Sequence, residues 1–98
     1  MNEIPRIPLI PQPDSDEGRR VLGFKWAEKM VGKRHQIGGA PGFLQEAHIP
    51  HCKNCSHPMT FYAQLDSLGD DVVLADCGMI YVFVCMDCFE VIAFTQSS

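Results

Sequence analysis

The chain has 98 residues, of which 46% are hydrophobic and 20% are charged, and its formal net charge is −4. This length allows at most one domain, and this composition excludes wholesale disorder. No apolar run reaches the roughly 18–20 residues that a membrane helix needs, and prolines interrupt the region where a signal peptide would lie. The sequence therefore predicts a cytoplasmic protein that has no membrane partner.

The first 18 residues are predicted to form an extended, proline-rich arm in front of a single domain of residues 19–98. Each proline fixes φ and removes a backbone donor, which favours polyproline-type geometry; the prolines are Pro5, Pro8, Pro11 and Pro13. We expect the arm to lie along its own domain or to stay mobile. A PxxP ligand for a groove in another protein is the alternative. Residues 14–18 are typical of a polar turn.

Residues 19–30 are predicted to form a strand. Leu22, Phe24 and Trp26 fall on one face of an alternating pattern, and Gly23 argues against a helix. Residues 35–45 then carry four glycine or proline residues within five positions, so they are predicted to form a tight loop. This loop matches neither phosphate-binding glycine pattern, which disfavours a nucleotide site.

The second half is rich in β-branched and aromatic residues. Residues 59–67 alternate as a half-buried strand does, residues 68–71 are typical of a turn, and residues 78–84 and 89–95 are two further strands. The last two are so close in sequence that they should form an antiparallel hairpin. The predicted fold class is mainly β, small α+β at most, with an antiparallel sheet and a zinc-ribbon-like pair of hairpins.

Two C-x₂-C pairs lie 29 residues apart: Cys52 with Cys55, and Cys85 with Cys88. A C-x₂-C turn at a hairpin tip directs two thiolates to one point, and two such turns complete a tetrahedral S₄ shell. The predicted strand, turn and strand between the pairs would bring the chain back to the first pair. The sequence therefore predicts one structural Zn²⁺ per chain, which contributes roughly 10–16 kcal/mol in small zinc peptides.

Other interpretations of the cysteines carry less weight. The chain has five, an odd number, and cytosolic thiols stay reduced, so disulfides are disfavoured. A redox C-x₂-C motif would be expected within a βαβ pattern, which is missing here. Iron could occupy a Cys₄ site, but zinc is the commoner tetrahedral ion. The sequon at Asn54 lies inside the first pair and is discounted.

The fifth thiol, Cys77, is expected to be buried and inert. A replacement ligand, or a nucleophile served by one of the four histidines, is the alternative; these histidines are His35, His48, His51 and His57. His51 and His57 flank the first cysteine pair. Either could support the metal site or act as an alternate ligand, although an ordinary surface role is favoured.

Charge is unevenly distributed. Residues 19–34 contain six basic residues and one acidic residue, whereas six acidic residues and one lysine follow residue 50. Such asymmetry can steer a partner, but two solvated faces are the simpler interpretation.

The ordered set of motifs resembles a known family. The segment 35–45 (HQIGGAPGFLQ), the first cysteine pair, the segment 59–66 (MTFYAQLD) and the segment 78–85 (GMIYVFVC) resemble the bacterial YwqG-like family of unknown function. They are also similar to the N-terminal part of programmed cell death protein 2. The resemblance implies a mostly β fold. It implies either an immunity role, in which the protein silences a toxin, or an escort role toward a ribosomal protein, and it implies no catalytic residue.

The favoured function is a non-enzymatic, zinc-binding module that interacts with a protein partner, immunity-like first and escort-like second. An enzyme is disfavoured because a closed Cys₄ shell leaves no position for a reactive water. The alternative is a nucleic-acid-binding zinc ribbon that uses the basic segment 19–34, with Phe24 and Trp26 among its cations. The net charge of −4 opposes that alternative.

Overall fold

The computed structural model describes residues 3–97 and is mainly β. One antiparallel sheet contains five strands in sequence order: β1 (Ile7–Pro8), β2 (Gln36–Ile37), β3 (Thr60–Asp66), β4 (Met79–Val84) and β5 (Val91–Gln96). A short helix, α1 (Asp16–Arg20), precedes β2. The predicted fold class is confirmed. Within residues 3–97, no helix is long and apolar enough to cross a bilayer.

Strands β3, β4 and β5 form a meander, as the alternating pattern predicts. Tyr81 in the middle strand lies opposite Gln64 on one side and Phe94 on the other. The predicted hairpin between the last two strands is confirmed, but β5 begins two residues later than predicted. The register shifts between Phe61 and Ala63, which makes Tyr62 an extra residue of β3. This bulge reverses the alternation of the strand.

The core lies on one face of this meander. Met79, Tyr81 and Phe83 alternate along β4, and each is at most 1% exposed. Phe61 contacts Phe83 with ring centroids 5.5 Å apart, and Phe94 stacks on Phe83 at 5.8 Å. Residues from the long segment between β2 and β3 and from the cysteine turns complete the cluster; they are Phe43, Leu44, Cys52, Cys55, Met59 and Cys85. The core therefore reaches the cysteines at one end.

The opposite face of the meander has little cover. Apart from Ala63, which is 8% exposed, its larger apolar side chains are half-buried or exposed in the described part of the chain, and we refer to these five as the open face: Leu65, Ile80, Val82, Val84 and Val91. Leu65 is 43% exposed and Val91 is 57% exposed. A sheet of this size normally buries one face and solvates the other with polar groups, so this face is unusually apolar.

The prediction of a strand over residues 19–30 is wrong. Residues 19 and 20 close the helix α1, which begins because the Ser15 side chain accepts a hydrogen bond from the Gly18 N–H at 3.0 Å. Gly23 then adopts a φ of +94°, a left-handed conformation that ends any extended run. Gly23 forms a parallel bridge with Gly69, in the turn after β3, and its N–H donates to the Leu68 carbonyl at 2.8 Å.

The predicted glycine loop is confirmed from Gly38 onward, whereas residues 36 and 37 of the predicted range form β2, and the loop holds the N-terminal arm. After β2, Gly38 and Gly39 have φ values of +62° and +70°. A Cβ at Gly38 would collide with the backbone carbonyls of Ile4 and Pro5, so glycine is needed for this close approach. The Gly39 N–H donates to the Ile4 carbonyl at 2.7 Å, and β1 pairs with β2.

At the end of the sheet opposite the cysteines, the fully buried Asp66 carboxylate holds the loop before β2. It accepts two hydrogen bonds from the Arg34 guanidinium, both at 2.7 Å, and one each from the Arg34 and Gly32 N–H groups. Burial alone would raise the pKa of Asp66. The hydrogen bonds from Arg34 and from the backbone outweigh burial and hold this pKa below its ordinary value.

Candidate metal centre

The first cysteine pair lies in a tight turn, residues 52–55, that we term the first knuckle. The Cys52 N–H donates to the His57 carbonyl at 3.0 Å, and the Ser56 N–H donates back to the Cys52 carbonyl at 2.8 Å. A bridge between His51 and Pro58 closes the turn just before β3. The knuckle is therefore a miniature hairpin, as the C-x₂-C spacing predicts.

The second knuckle, residues 85–88, repeats this backbone pattern at the tip of the β4–β5 hairpin. The Cys85 N–H donates to the Glu90 carbonyl at 2.8 Å, and the Phe89 N–H donates to the Cys85 carbonyl at 2.8 Å. The residue after the second cysteine is left-handed in both knuckles, with φ of +64° at Ser56 and +65° at Phe89. Because the two turns match, they present their thiols in the same way.

The structure brings all four predicted ligands together. The sulfurs of Cys52, Cys55, Cys85 and Cys88 all lie within 4.8 Å of one another, and the Sγ atoms of Cys52 and Cys88 are 3.5 Å apart. These cysteines are free thiols, not disulfides. Tetrahedral zinc with Zn–S bonds near 2.3 Å places its sulfurs about 3.8 Å apart. The four thiols could therefore hold one tetrahedral metal ion with only small adjustments.

The surroundings favour the thiolate form of some of these cysteines and disfavour it in others. Backbone N–H groups of Cys88 and Asp87 point at the Cys85 sulfur and lower the pKa of this thiol to about 7. Burial, together with the neighbouring thiols, raises the pKa of Cys55 to about 12. Four thiolates so close together repel one another, so a bound cation is needed for all four to ionise.

A histidine and a carboxylate extend the cluster on one side. His57 Nε2 and Asp87 Oδ2 are 2.7 Å apart, so this contact links the first knuckle to the second. With the sulfurs of Cys55 and Cys85 they form a second group of potential ligand atoms that all lie within 4.8 Å of one another. Asp87 is not predicted as a ligand from the sequence, although its position inside the second C-x₂-C motif is a signal that could have identified it.

The remaining candidates lie elsewhere. Cys77 is half-buried, in a turn with φ of +50°, and belongs to neither group of potential ligands found within residues 3–97. The prediction that it is buried is therefore wrong. His51 is exposed and outside both groups, and His48 packs edge-on against Phe94 at 5.2 Å. His35 is buried beside Asp66, whose N–H donates to His35 Nδ1 at 3.0 Å.

Comparison with known proteins gives one informative similarity. The chain is 36% identical over 53 residues to the uncharacterized protein YpfL of Salmonella typhimurium (strain LT2). The match covers 54% of this chain but only 12% of YpfL. No family model and no solved structure matches the chain. The comparisons therefore lend no support to the resemblance to the YwqG-like family or to programmed cell death protein 2.

Proposed function

We propose that the protein binds one structural Zn²⁺ through Cys52, Cys55, Cys85 and Cys88 and acts as a non-enzymatic protein-interaction module. The observation that carries the metal assignment is the convergence of four free thiols from two matching knuckles. An all-sulfur tetrahedral donor set favours zinc over magnesium or calcium, which prefer oxygen. We place the protein in the cytoplasm, where a reducing environment keeps such thiols available.

Metal analysis tests this assignment directly. Protein purified without chelator should contain one zinc per chain by elemental analysis, and Cys52→Ser and Cys88→Ser should each lose most of it. Cys77→Ser is the matched control, because Cys77 lies outside the cluster, and it should retain its zinc. Wild-type protein without metal after reconstitution, or equal metal loss in all three variants, would contradict the assignment.

The proposed zinc is structural because four protein sulfurs would fill its coordination shell. Catalytic zinc keeps one position open for water or substrate. Removing the ion should loosen the knuckles, since Cys52 and Cys85 are only 2% and 3% exposed and form one end of the core. We infer that the ion's role is to fix the β4–β5 hairpin.

The open face supports the proposed interaction with a protein partner. Its residue Val84 directly precedes Cys85, and Val91 lies opposite Val84 on β5, so the second knuckle closes this end of the face. Contiguous apolar surface on a soluble domain marks a site of contact with another molecule. We propose that a protein partner with an apolar surface covers the open face, and that zinc keeps the two strands in register beneath it.

Paired charge substitutions test the proposed surface. Leu65→Lys and Val91→Lys should abolish co-purification of a stoichiometric partner from the native host, because each places a charge on the open face. Met30→Lys is the control, since Met30 is 59% exposed but lies in the loop before β2. A partner that binds all three variants equally, with zinc content unchanged, would exclude the open face.

The finer role rests on the sequence resemblance alone. We propose an immunity-like role first, in which the partner is a toxin that the protein silences, and an escort role second. Co-expression separates the two. A toxin partner should arrest growth when it is expressed alone and become harmless with this protein. An escorted partner should instead be harmless alone and become insoluble when this protein is deleted.

Nucleic-acid binding by the basic segment 19–34 is the second candidate, because Trp26 is 75% exposed among its lysines and offers a stacking surface for a base. Two of the six cations are already paired, Arg19 with Asp16 and Arg34 with Asp66. Salt-dependent binding of single-stranded RNA or DNA that is weakened by Trp26→Ala and Lys25→Ala would favour this candidate. Unchanged binding in both variants would remove it.

A further inference from the structure

Strand β5 is an open edge of the sheet. Within residues 3–97 it pairs with β4 alone, and no residue from another segment hydrogen-bonds to the backbone of Val91, Ala93 or Thr95. The Cys85 N–H donates to the Glu90 carbonyl, which makes these two residues a hydrogen-bonded pair. Bonded and non-bonded pairs alternate along an antiparallel ladder. The N–H and C=O groups of Val91, Ala93 and Thr95 therefore point away from β4, toward the place of a further strand.

This edge lacks the features that normally keep edge strands from pairing. Folded proteins protect such edges with short strands, prolines, bulges or charged side chains. The opposite edge of the sheet follows that rule, because β1 is only two residues long and ends in Pro8. Strand β5 has six residues (VIAFTQ) without a proline or a charge, and its register against β4 is unbroken. It is therefore the edge that can accept another strand.

The neighbours of β5 set the length of the free edge. Val91 is 57% exposed, and Ala93 and Thr95 are exposed as well. Beyond them, the Gln45 side chain donates to the Ser97 carbonyl at 2.8 Å and occupies that position of the edge. The free edge thus runs from Val91 to Thr95, and Ala93 lies at its centre.

We propose that two copies of this chain pair antiparallel through β5, about a two-fold axis that passes through the sheet at Ala93. In this register Val91 of one copy lies opposite Thr95 of the other, and Ile92 lies opposite Phe94. Every outward N–H and C=O group of the free edge then has a partner on the other copy. The contact is self-complementary, as a two-fold interface requires.

The side chains of β5 suit a second copy of the same strand. Ile92 and Phe94 are half-buried against the core, so on that face each copy would place a β-branched side chain beside an aromatic ring. Cross-strand pairs of this kind stabilise a sheet, whereas like charges directly opposite destabilise it. No like charges meet in this register, because Glu90 faces the uncharged Gln96. The pairing uses backbone groups, whereas the protein partner proposed above contacts side chains of the open face.

Sedimentation equilibrium of the whole, zinc-loaded chain tests the proposal. An edge contact buries little surface, so we expect a weak dimer whose fraction rises with concentration. Ala93→Pro removes the outward N–H at the centre, a change that edge strands tolerate, and the symmetric dimer loses one hydrogen bond from each copy. The dissociation constant should therefore rise about 10- to 100-fold. Ala93→Ser keeps this N–H and is the matched control, which should dimerise as the wild type does.

Paired charge substitutions test the register without a proline. Val91→Lys combined with Thr95→Lys places like charges directly opposite each other and should weaken the dimer. Val91→Lys combined with Thr95→Glu places opposite charges there and should retain it. A chain that stays monomeric up to millimolar concentration, equal dissociation constants for Ala93→Pro and Ala93→Ser, or equal dimerisation of the two double variants would each overturn the proposal.

Leu65→Lys separates this contact from the proposed partner site. Leu65 lies on β3, two strands away from the edge, so this variant should lose the protein partner and still dimerise. A dimer that is lost in Leu65→Lys and kept in Ala93→Pro would show that two copies associate through the open face, and it would overturn the pairing through β5.

Discussion

The buried ion pair between Asp66 and Arg34 is the contact whose loss should destabilise the fold most clearly. The Asp66 side chain is completely buried, the Arg34 side chain is 20% exposed, and the carboxylate accepts four hydrogen bonds. Asp66→Asn replaces one acceptor oxygen with an NH₂ group that faces the guanidinium. Breaking one partner of a buried pair costs about 3–5 kcal/mol, against a total stability of about 5–15 kcal/mol for a typical domain.

Urea unfolding of Asp66→Asn, compared with Asp16→Asn, measures this cost. Asp16 also pairs with an arginine, Arg19, at 2.7 Å, but its side chain is 91% exposed. An exposed pair contributes less than about 1 kcal/mol, so the control should unfold close to wild type. If Asp66→Asn loses no more stability than Asp16→Asn, the Asp66 contacts do not hold the loop before β2 as inferred.

The same pair predicts a pH dependence. The folded pKa of Asp66 lies below its ordinary value, so the stability it contributes is present above the ordinary aspartate pKa of about 3.9 and is lost as pH falls through the folded pKa. Acid also releases metal from thiolates, and this effect is common to both variants. The stability gap between Asp16→Asn and Asp66→Asn should therefore shrink below about pH 4. A gap that stays constant down to pH 2 would refute the reasoning.

Three further substitutions have defined outcomes. Phe89→Gly should stabilise the protein by about 1 kcal/mol in urea unfolding, since it relieves a left-handed backbone at a side chain that is 69% exposed; a loss of stability would mean that the ring packs. Gly78→Ala should destabilise by about 1–3 kcal/mol, because its Cβ would meet the Gln96 and Leu74 carbonyls at 2.5 and 2.6 Å; unchanged thermal stability would contradict this. Tyr81→Phe should lower the free energy of unfolding by about 1–2 kcal/mol, because the Gly42 carbonyl loses the hydroxyl that donates to it at 2.9 Å. Unchanged stability in calorimetry would show that this hydrogen bond does not stabilise the fold.

The second half of the chain could be predicted from sequence because its pattern and its burial agree. Alternation along residues 78–84 reports the single buried face of β4, and C-x₂-C spacing alone predicts both knuckles. The bulge at Tyr62 could not be predicted in this way. It inserts one residue into a segment whose apolar and polar residues still alternate in sequence, so the bulge is visible in the register against β4 and not in the sequence pattern.

The conformation of the first half could not be predicted from local patterns, because long-range contacts decide it. Residues 19–30 alternate as a strand would, but no strand within residues 3–97 pairs with them, and the Ser15 cap with Gly23 turns the chain instead. The short pairing of β1 with β2 requires the backbone of Ile4 and Pro5 to pass close to Gly38, where any side chain would collide with it. The His35–Asp66 contact joins residues 31 positions apart, which no local pattern reports.

The two ends of the small core are stabilised by different kinds of interaction. At one end, Cys52 and Cys85 are core residues whose proposed cohesion is metal coordination; at the other, Asp66 and Arg34 hold the loop by hydrogen bonds between charged groups. Strand β3 runs from the first knuckle to Asp66, and the aromatic side chains of β4 and β5, centred on Phe83, pack between the two ends. Because a domain of this size buries a small share of its surface, we expect loss of either end to destabilise the meander. We therefore expect the two ends, rather than a second layer of structure, to keep the strands of the open face in register.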